Sequence, residues 1–399
     1  MAQRWVILGV AVAAQAAMSA LVYGPPFVLP QLRAEEGLSL TEASTLVVAP
    51  MLGMLLTMIV WGALADRFGE RLVMTVGMLG SAAAGFAAAQ VPGVVGLAVL
   101  LTVAGLFSAS ISAASGRAVL GWFDVSERGL AMGIRQTCTP LGVGIAALTL
   151  PPAAVAWGYR GALVVPAVLC LLAGIAVAVL LKNPPRPEKR HVEATGSPYR
   201  VARLWRVHAA SALLVGPQFI ASTFALTYLV AQQGWDAVAA GALVAVVQVV
   251  GAGARIVAGV WSDRARSRMR PMRTIAALAG LAMLLWAVGD AVAPWLALAG
   301  LVATLVVSVM DNGLGFTASA ELAGPYWAGR AIGVQNTGQG VVGLAVAPLF
   351  AALATALPWP AALAVAAAMP VVAVLVTPVR GEVVGEPVDA GNAGSALKS

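Results

Sequence analysis

Long stretches of this chain carry no charged residue, and this feature limits the possible fold more than any other. Charge-free stretches include 5–32, 72–116, 136–159, 161–181, 291–310 and 331–379. A helix needs roughly 20 apolar residues to cross a bilayer, so each stretch can hold a span and the two longest can hold two. Because lipid cannot hydrogen-bond the backbone, such runs are helical. The alternating polarity of membrane β-strands is absent.

Turn signals and charges divide the chain into twelve predicted helices of an all-α membrane protein. With 60% hydrophobic and 10% charged residues, it cannot cover a water-facing surface with polar groups. The predicted spans are 5–29, 41–63, 71–90, 94–117, 129–153, 161–181, 209–231, 237–260, 273–290, 294–318, 329–355 and 359–379. The predicted domains are an N-terminal six-helix half at 1–182, a cytoplasmic linker at 183–207, a C-terminal six-helix half at 208–380 and a disordered cytoplasmic tail at 381–399.

Two internal repeats indicate that the halves are duplicated. The phrase Gly-Ala-Leu-Ala-Asp-Arg at 62–67 returns as Gly-Val-Trp-Ser-Asp-Arg at 259–264. A second repeat relates 129–137 in predicted helix 5 to 329–337 in predicted helix 11. It places glycines four residues apart, which lets helix backbones approach closely. Repeated halves of this kind are typical of transporters.

The basic residues favour a cytoplasmic amino terminus. With that orientation, all but four of the 24 Lys and Arg residues fall inside, whereas Arg33 and Arg160 fall outside and Arg135 and Arg255 lie within spans. The formal net charge of +7 is therefore a topology signal. We find no basic soluble domain, so no nucleic-acid partner is predicted.

No residue pattern predicts a cofactor, a metal site or an enzyme. Cys138 and Cys170 fall within predicted helices, where thiols behave as small apolar side chains. His191 and His208 lie in or beside the linker, where a lone histidine is usually solvated. The sequence has no ATP-binding glycine loop, metal-ligand cluster or nucleophile constellation. Energy for transport would then come from a proton or counter-substrate gradient.

The motif Gly62-x-x-x-Asp66-Arg67-x-Gly69-x-Arg71 resembles the signature loop of the major facilitator superfamily. Its copy between predicted helices 8 and 9 departs from that pattern, because Arg266 stands where Gly69 would correspond. The resemblance covers the whole chain and implies a transporter that works by alternating access. The predicted gating residues are Gly62, Asp66, Arg67, Gly69, Arg71, Arg117, Asp263, Arg264 and Glu321.

Arg135 and Arg255 are the only Lys or Arg residues in the interior of predicted spans, because the other basic residues lie in loops or at span ends. Each lies about 10–12 Å from the nearest charged residue at the helix end, at 1.5 Å rise per residue. A buried arginine costs at least ~2.5 kcal/mol on insertion scales, and it usually faces a cavity or a partner. Snorkelling to the surface is the alternative explanation. The planar guanidinium fork suits a carboxylate or oxyanion better than a lysine does.

The position of Arg255, shortly before Asp263, resembles the pattern in nitrate and monocarboxylate porters of the superfamily. The segment 116–129 is similar to the helix 4–5 junction of cyanate and nitrate porters. These resemblances imply that Arg255 contacts an anionic substrate and that Arg135, on the facing helix 5, assists it. The chain lacks the glycine-rich signature of nitrate porters in helix 5. It also has Met58 where an arginine would stand in helix 2, which argues against nitrate itself.

Polar residues within the spans complete the predicted binding site. The set comprises Gln15, Ser19, Tyr23, Gln218, Ser222, Tyr228, Gln248, Gln335, Asn336 and Gln339. Hydrogen bonding between helices is the alternative role for each of them. Asp311 could carry a coupling proton, neutralise an empty-site arginine, or sit in a helix break with Asn312 and Gly313.

The sequence therefore predicts a secondary transporter for a small organic or inorganic anion, coupled to protons or working by exchange. The expected surroundings are membrane lipid, in a bacterial cell membrane, and the expected state is a monomer with both termini in the cytoplasm. Two alternatives stay open. One is efflux of hydrophobic drugs through an apolar, Met-rich cavity, with Arg135 as a structural residue. The other is a non-transporting receptor with the same fold.

Overall fold

The computed structural model describes residues 2–38, 40–185, 197–382 and 384, and within these ranges the secondary structure is helical without β-strands. This confirms the all-α fold. His191, linker residues 186–196 and tail residues 383 and 385–399 lie outside the described residues. The helices are α1 Ala2–Tyr23, α2 Leu29–Glu36, α3 Leu40–Phe68, α4 Glu70–Ala88, α5 Val94–Leu120, α6 Arg128–Arg135, α7 Cys138–Leu180, α8 Ala202–Ala231, α9 Ala237–Arg264, α10 Met269–Val292, α11 Pro294–Val307, α12 Asn312–Ala323, α13 Ala328–Ala356, α14 Trp359–Ala366 and α15 Ala368–Val376.

Among the described residues, eleven helical stretches are long and apolar enough to cross a membrane. One of them, Arg128–Leu180, has 53 residues. At 1.5 Å per residue it would extend about 80 Å, far more than the roughly 30 Å hydrocarbon core. It turns at Gly158, whose φ of 72° and ψ of 170° are not helical. The stretch therefore holds two spans, in agreement with the twelve predicted.

Four predicted helices are interrupted or shortened, and one of them is the twelfth, which is interrupted at Ala367 between α14 and α15. The first ends at Tyr23 because Pro25 and Pro26 follow, and proline lacks the N–H that a continuing helix needs. The fifth breaks at 136–137, between α6 and α7, and the tenth breaks at 308–311, between α11 and α12. The breaks in the fifth and tenth helices involve charged residues of the predicted site: Arg135 directly precedes the first break, and Asp311 lies within the second.

The chain forms two compact units. Unit 1 comprises Met1–Phe123, Arg135–Arg186 and Pro325–Asn336, and unit 2 comprises Asp124–Ile134, Pro187–Gly324 and Thr337–Ser399. Each unit is built mainly from one half of the sequence and contains one short segment of the other half. The start of α13 belongs to unit 1, and α6 up to Ile134 belongs to unit 2.

Each unit has its own apolar interior. In unit 1, α1 packs on α7, α3 packs on α5, and α4 packs on both α5 and α7. In unit 2, α10 packs on α11 and α15 packs on α8, around Tyr228 and Trp286. Cys138 and Cys170 are buried free thiols. Large apolar side chains such as Val155 remain exposed, as expected of helices that face hydrocarbon.

Candidate functional site

The structure gathers many of the predicted site residues into three groups of buried polar side chains. The Asp66 cluster, in unit 1, consists of Asp66, Glu70 and Arg117. The Asp263 cluster, in unit 2, consists of Asp263, Arg268 and Glu321. The Arg135 network, in unit 1, consists of Arg135, Gln15, Ser112, Ser115 and Gln136.

Asp66, near the end of α3, caps the start of α13. Its Oδ1 accepts the Gly329 N–H at 2.9 Å, and its Oδ2 accepts the Arg330 N–H at 3.1 Å. The first amides of a helix have no acceptor within the helix, and the positive end of the helix dipole favours a carboxylate there. A residue of the N-terminal half of the sequence thus completes a helix of the C-terminal half.

The cap requires that α3 and α13 approach so closely that their backbones are in contact. A Cβ on Gly62 would lie 2.4 Å from the Gly329 carbonyl oxygen, and a Cβ on Gly329 would lie 2.6 Å from the Gly62 carbonyl oxygen. One turn later, a Cβ on Gly333 would lie 2.8 Å from the Met58 carbonyl oxygen. No side chain fits at such distances. This confirms the close approach predicted from the glycine spacing.

Arg117, on α5, connects the cap to the following turn. Its Nη1 donates to Asp66 Oδ1 at 2.8 Å and to the Pro325 carbonyl at 3.0 Å, and its guanidinium also pairs with Glu70. Arg117 is only 5% exposed. Burying charge is costly unless a partner neutralises it, and here one arginine lies between two carboxylates. Sequence analysis missed Glu70, although it occupies the variable position between Gly69 and Arg71 in the motif.

Asp263, near the end of α9, makes the equivalent cap in unit 2. Its Oδ1 accepts the Gly129 N–H at 2.9 Å and its Oδ2 accepts the Leu130 N–H at 2.8 Å, both in the first turn of α6. A Cβ on Gly129 would lie 2.3 Å from the Gly259 carbonyl oxygen, so the backbones again touch. Here a residue of the C-terminal half completes a helix of the N-terminal half.

Arg268 and Glu321 support this second cap. Compared with Glu70 and Arg117 in the Asp66 cluster, the positions of the acid and the arginine are reversed. Arg268, at the start of α10, donates to Asp263 at 2.5 Å, to the Val125 carbonyl at 2.7 Å and to both Glu321 oxygens at 3.3 Å. Burial alone would lower the pKa of Arg268, but the Glu321 and Asp263 carboxylates raise it above its usual value. In the Asp66 cluster, by contrast, α4 supplies the acid and α5 the arginine. Arg268 was not among the predicted gating residues, although the repeat aligns it with Arg71.

Three arginines of the predicted gating set lie outside both clusters. Arg67 and Arg264 are exposed, and the Arg67 guanidinium lies over the Phe68 ring. Arg71 is also exposed and donates to the Ala178 carbonyl. Gly69 and Arg266 both have positive φ angles, 94° and 45°.

Arg266 is the only non-glycine residue with positive φ in the described part of the chain. The second loop therefore also has a positive φ at this position, although the residue there is not glycine. An L side chain in this region is strained, at a cost of about 1–2 kcal/mol.

Arg135 is the last residue of α6 and is only 3% exposed. Its Nε and Nη2 donate to Ser115 Oγ at 3.1 and 2.7 Å, and its Nη2 also donates to Gln15 Oε1 at 3.1 Å. Its Nη1 donates to Gln136 Oε1 at 2.6 Å. All of these acceptors are neutral. In the ranges that the structure describes, no carboxylate lies within ion-pair distance of Arg135.

Serines of α5 join this network to neighbouring residues. Gln15 donates to Ser112 Oγ at 3.2 Å, and Asn336 donates to the Ser112 carbonyl at 3.4 Å. Sequence analysis missed Ser112 and Ser115, although their spacing of three residues places them on one helix face. Of the other predicted residues in unit 1, Gln335 is buried and Tyr23 is half-buried.

Asp311 and Arg255 are two buried charged residues of unit 2. Asp311 is fully buried, and Arg255 interacts with it electrostatically. Neither carboxylate oxygen of Asp311 accepts a hydrogen bond from the residues that the structure describes. The adjacent Asn312 donates to Gln218 Oε1 at 3.2 Å.

The remaining predicted binding residues in unit 2 have different surroundings. Tyr228 donates its hydroxyl to Asp290 at 2.6 Å and accepts a hydrogen bond from Gln233 at 2.8 Å. Gln248 and Gln339 are half-buried. Tyr228 thus belongs to a hydrogen-bonded group that sequence analysis did not identify.

The sequence is similar to that of known membrane transporters. The sequence profile of the Major Facilitator Superfamily matches residues 8–348. An MFS-type transporter of Mycobacterium tuberculosis, named as uncharacterized, is 42% identical over 380 residues, which are 94% of this chain and 85% of the relative. A probable sulfoacetate transporter of Cupriavidus necator is 26% identical over 348 residues, 79% of each chain.

Among solved structures, the fucose:proton symporter FucP of Escherichia coli aligns with a TM-score of 0.73. The sequence identity is 15%, and the alignment covers 95% of this chain and 100% of FucP. At this identity the likeness shows the fold alone.

The two caps generate a reciprocal prediction for amide hydrogen exchange. Asp66→Asn should speed exchange of the Gly329 and Arg330 amides about tenfold, because a hydrogen bond to a charged acceptor contributes roughly 1.5–3 kcal/mol. Exchange at Gly129 and Leu130 should not change. Asp263→Asn should do the reverse.

Mass spectrometry of the purified full chain measures both sites in one experiment. Asp124→Asn removes the charge of an exposed aspartate and should affect neither site. If Asp66→Asn leaves the Gly329 and Arg330 amides as protected as in the parent protein, something other than the carboxylate protects them.

Proposed function

Because the chain belongs to the major facilitator superfamily, we propose that it carries a small organic or inorganic anion across the membrane by alternating access. Its relatives are named transporters, so the chain is a multi-pass membrane transporter and not an enzyme. The sign of the cargo's charge is the new element of the proposal. It rests on Arg135.

The observation that carries this proposal is a buried positive charge among neutral acceptors. The Arg135 guanidinium is held by Ser115, Gln15 and Gln136, and no described carboxylate pairs with it. The buried Arg117 and Arg268, in contrast, each contact two acids. A buried arginine without an acid partner costs several kcal/mol in the apolar interior, and an incoming anion would offset this cost.

The hydrogen bonds around Arg135 also explain how an anion would be oriented. Three neutral side chains hold the guanidinium in place, so less side-chain entropy is lost when a ligand binds. Hydroxyl and amide groups can turn to donate to a ligand oxygen as readily as they now accept. The named substrate of the Cupriavidus necator relative, sulfoacetate, is an anion, and this supports the same charge sign.

Substitution of Arg135 tests the proposal directly. Arg135→Lys keeps the charge but removes the planar fork, so we expect binding of the best anion to weaken about tenfold. Arg135→Ala should weaken it by about a hundredfold. Dissociation constants for acetate, sulfoacetate, nitrate and a neutral sugar would be measured by calorimetry on monodisperse protein.

Arg33→Lys is the matched control, because Arg33 is exposed and its one hydrogen bond to a described residue goes to the nearby Leu38 carbonyl. It should bind anions like the parent protein. If folded Arg135→Ala also binds them like the parent, or if the best ligands are neutral or cationic, the anion proposal fails. Efflux of hydrophobic compounds would then be the better explanation. Arg255 stays a predicted anion contact, to be tested by the same assay.

We assign Asp311 a role in coupling, as the counter-charge of Arg255. A fully buried carboxylate within electrostatic range of Arg255 would take up a proton more easily once a bound anion neutralises that arginine. Asp311→Asn should then abolish uphill accumulation in proteoliposomes with a proton gradient, while counterflow exchange continues. If uphill transport survives in Asp311→Asn, the residue is structural and the proton takes another route.

We also assign the Asp66 and Asp263 caps to the gate, on the cytoplasmic side, with both termini in the cytoplasm. Motion between states would require these caps to open. Asp66→Asn should therefore slow transport far more than it weakens ligand binding, because it shifts a conformational equilibrium without contacting the ligand. Equal losses of transport and binding would contradict the gate assignment. Labelling of an Arg33→Cys variant from outside tests the orientation.

A further inference from the structure

The chain beyond α15 returns to the loop between α9 and α10, which follows Asp263. Glu382 Oε1 accepts the backbone N–H of Arg268 at 2.6 Å and of Met269 at 3.0 Å. Glu382 Oε2 accepts the Ser267 hydroxyl at 2.5 Å. These three donors surround the first turn of α10. Arg203, at the start of α8, holds the same segment through the carbonyl of Gly381.

The first half of the sequence contains a weaker form of the same contact. Asn183, just after the end of α7, accepts the Arg71 N–H at 2.8 Å through its Oδ1, in the first turn of α4. The N-cap residues of α4 and α10, Gly69 and Arg268, have no side chain that can accept a hydrogen bond from the first amides of these helices. In each half, a residue shortly after the last helix therefore caps the helix that corresponds to the third predicted span of that half, α4 or α10. Only the second half uses a charged side chain for this.

Glu382 binds the backbone of Arg268, and the Arg268 side chain belongs to the Asp263 cluster. The Arg268 guanidinium reaches Asp263, Glu321 and the Val125 carbonyl, at the turn before α6. The guanidinium can keep those contacts only while the Arg268 backbone stays in place. Among the described residues, Glu382 has no hydrogen bond or ion pair with Asp263 or with α6. Its influence on them would pass through Arg268 and through Ser267, whose carbonyl accepts the Ser262 hydroxyl.

We propose that Glu382 is a positioning residue for the Asp263 cluster, so that the C-terminal segment determines how firmly Asp263 caps α6. The proposal rests on contacts within unit 2 and is independent of the identity of the cargo. It assigns a task to a residue inside the stretch 381–399, which the sequence predicts to be a disordered tail.

Amide exchange on the full chain tests the proposal at a site that Glu382 does not touch. In Glu382→Gln we expect exchange to rise about tenfold at Met269, where charged hydrogen bonds are lost, and about threefold at Gly129 and Leu130. Glu382→Asp keeps the charge on a shorter side chain and should lie between Glu382→Gln and the parent. Asn183→Ala should affect the start of α4 and leave Gly129 and Leu130 unchanged.

A double variant determines whether the effect passes through the cluster. With Asp263→Asn already present, Glu382→Gln should add no further exchange at Gly129 and Leu130, because residues that act through one network are not additive. Additive effects would overturn the proposal. So would a Glu382→Gln effect confined to α10, since Glu382 would then be a simple helix cap. Parent-like exchange around Tyr228 checks that each variant is folded.

Discussion

A buried aspartate that caps a helix from the opposite half of the sequence is the interaction on which the described clusters depend. The carboxylate satisfies two amides that have no acceptor within their own helix. It can reach them only because Gly62 and Gly329, or Gly259 and Gly129, let two backbones touch. A single Cβ at any of these four positions would separate the helices. The supporting arginines would then lose the carboxylates that neutralise them.

The two clusters have the same pattern of contacts, but the arginine and the second acid come from different helices in each. In both, an arginine joins the capping aspartate to a second acid and to a carbonyl of the turn before the capped helix. The arginine is Arg117 on α5 in one cluster and Arg268 beside α10 in the other. Neutralisation of a buried charge requires opposite signs at short distance and does not specify which helix contributes which sign. The duplicated halves could therefore diverge in sequence without losing the contact.

The sequence predicted the features that depend on local pattern. Charge-free runs determine the helices, because hydrocarbon permits no other backbone arrangement, and glycine spacing correctly predicted the close approach of α13 and α6 to their partners. Partners across helices were harder to predict. Arg268 and Glu382 are far apart in the sequence, and neither lies in a pattern that indicates the other. Helix periodicity shows which residues share a face, but not which neighbouring helix that face meets.

The Arg135 network illustrates the same limit within a single site. Its depth in a span singled out Arg135, whereas Ser112 and Ser115 resembled ordinary small residues of a packed helix. Their role appears only when α1, α5 and α6 are placed together. Tyr228 was predicted to bind substrate because it is a polar residue in a span. The sequence did not indicate that its hydroxyl donates a hydrogen bond to Asp290.

Each half of the sequence supplies an aspartate that caps the start of a helix from the other half, and this reciprocal pattern has the form of an isologous contact. The loop of the first half holds the glycine-rich helix of the second, through Asp66 and Gly329, and the loop of the second holds that of the first, through Asp263 and Gly129. In symmetric dimers, the same patch on each subunit meets its counterpart in this reciprocal way. A six-helix chain with one such loop and one such helix could form both contacts by pairing with a second copy of itself. Fusion of two copies would then let each half change separately, as the charge exchange between the clusters and the arginine at position 266 illustrate.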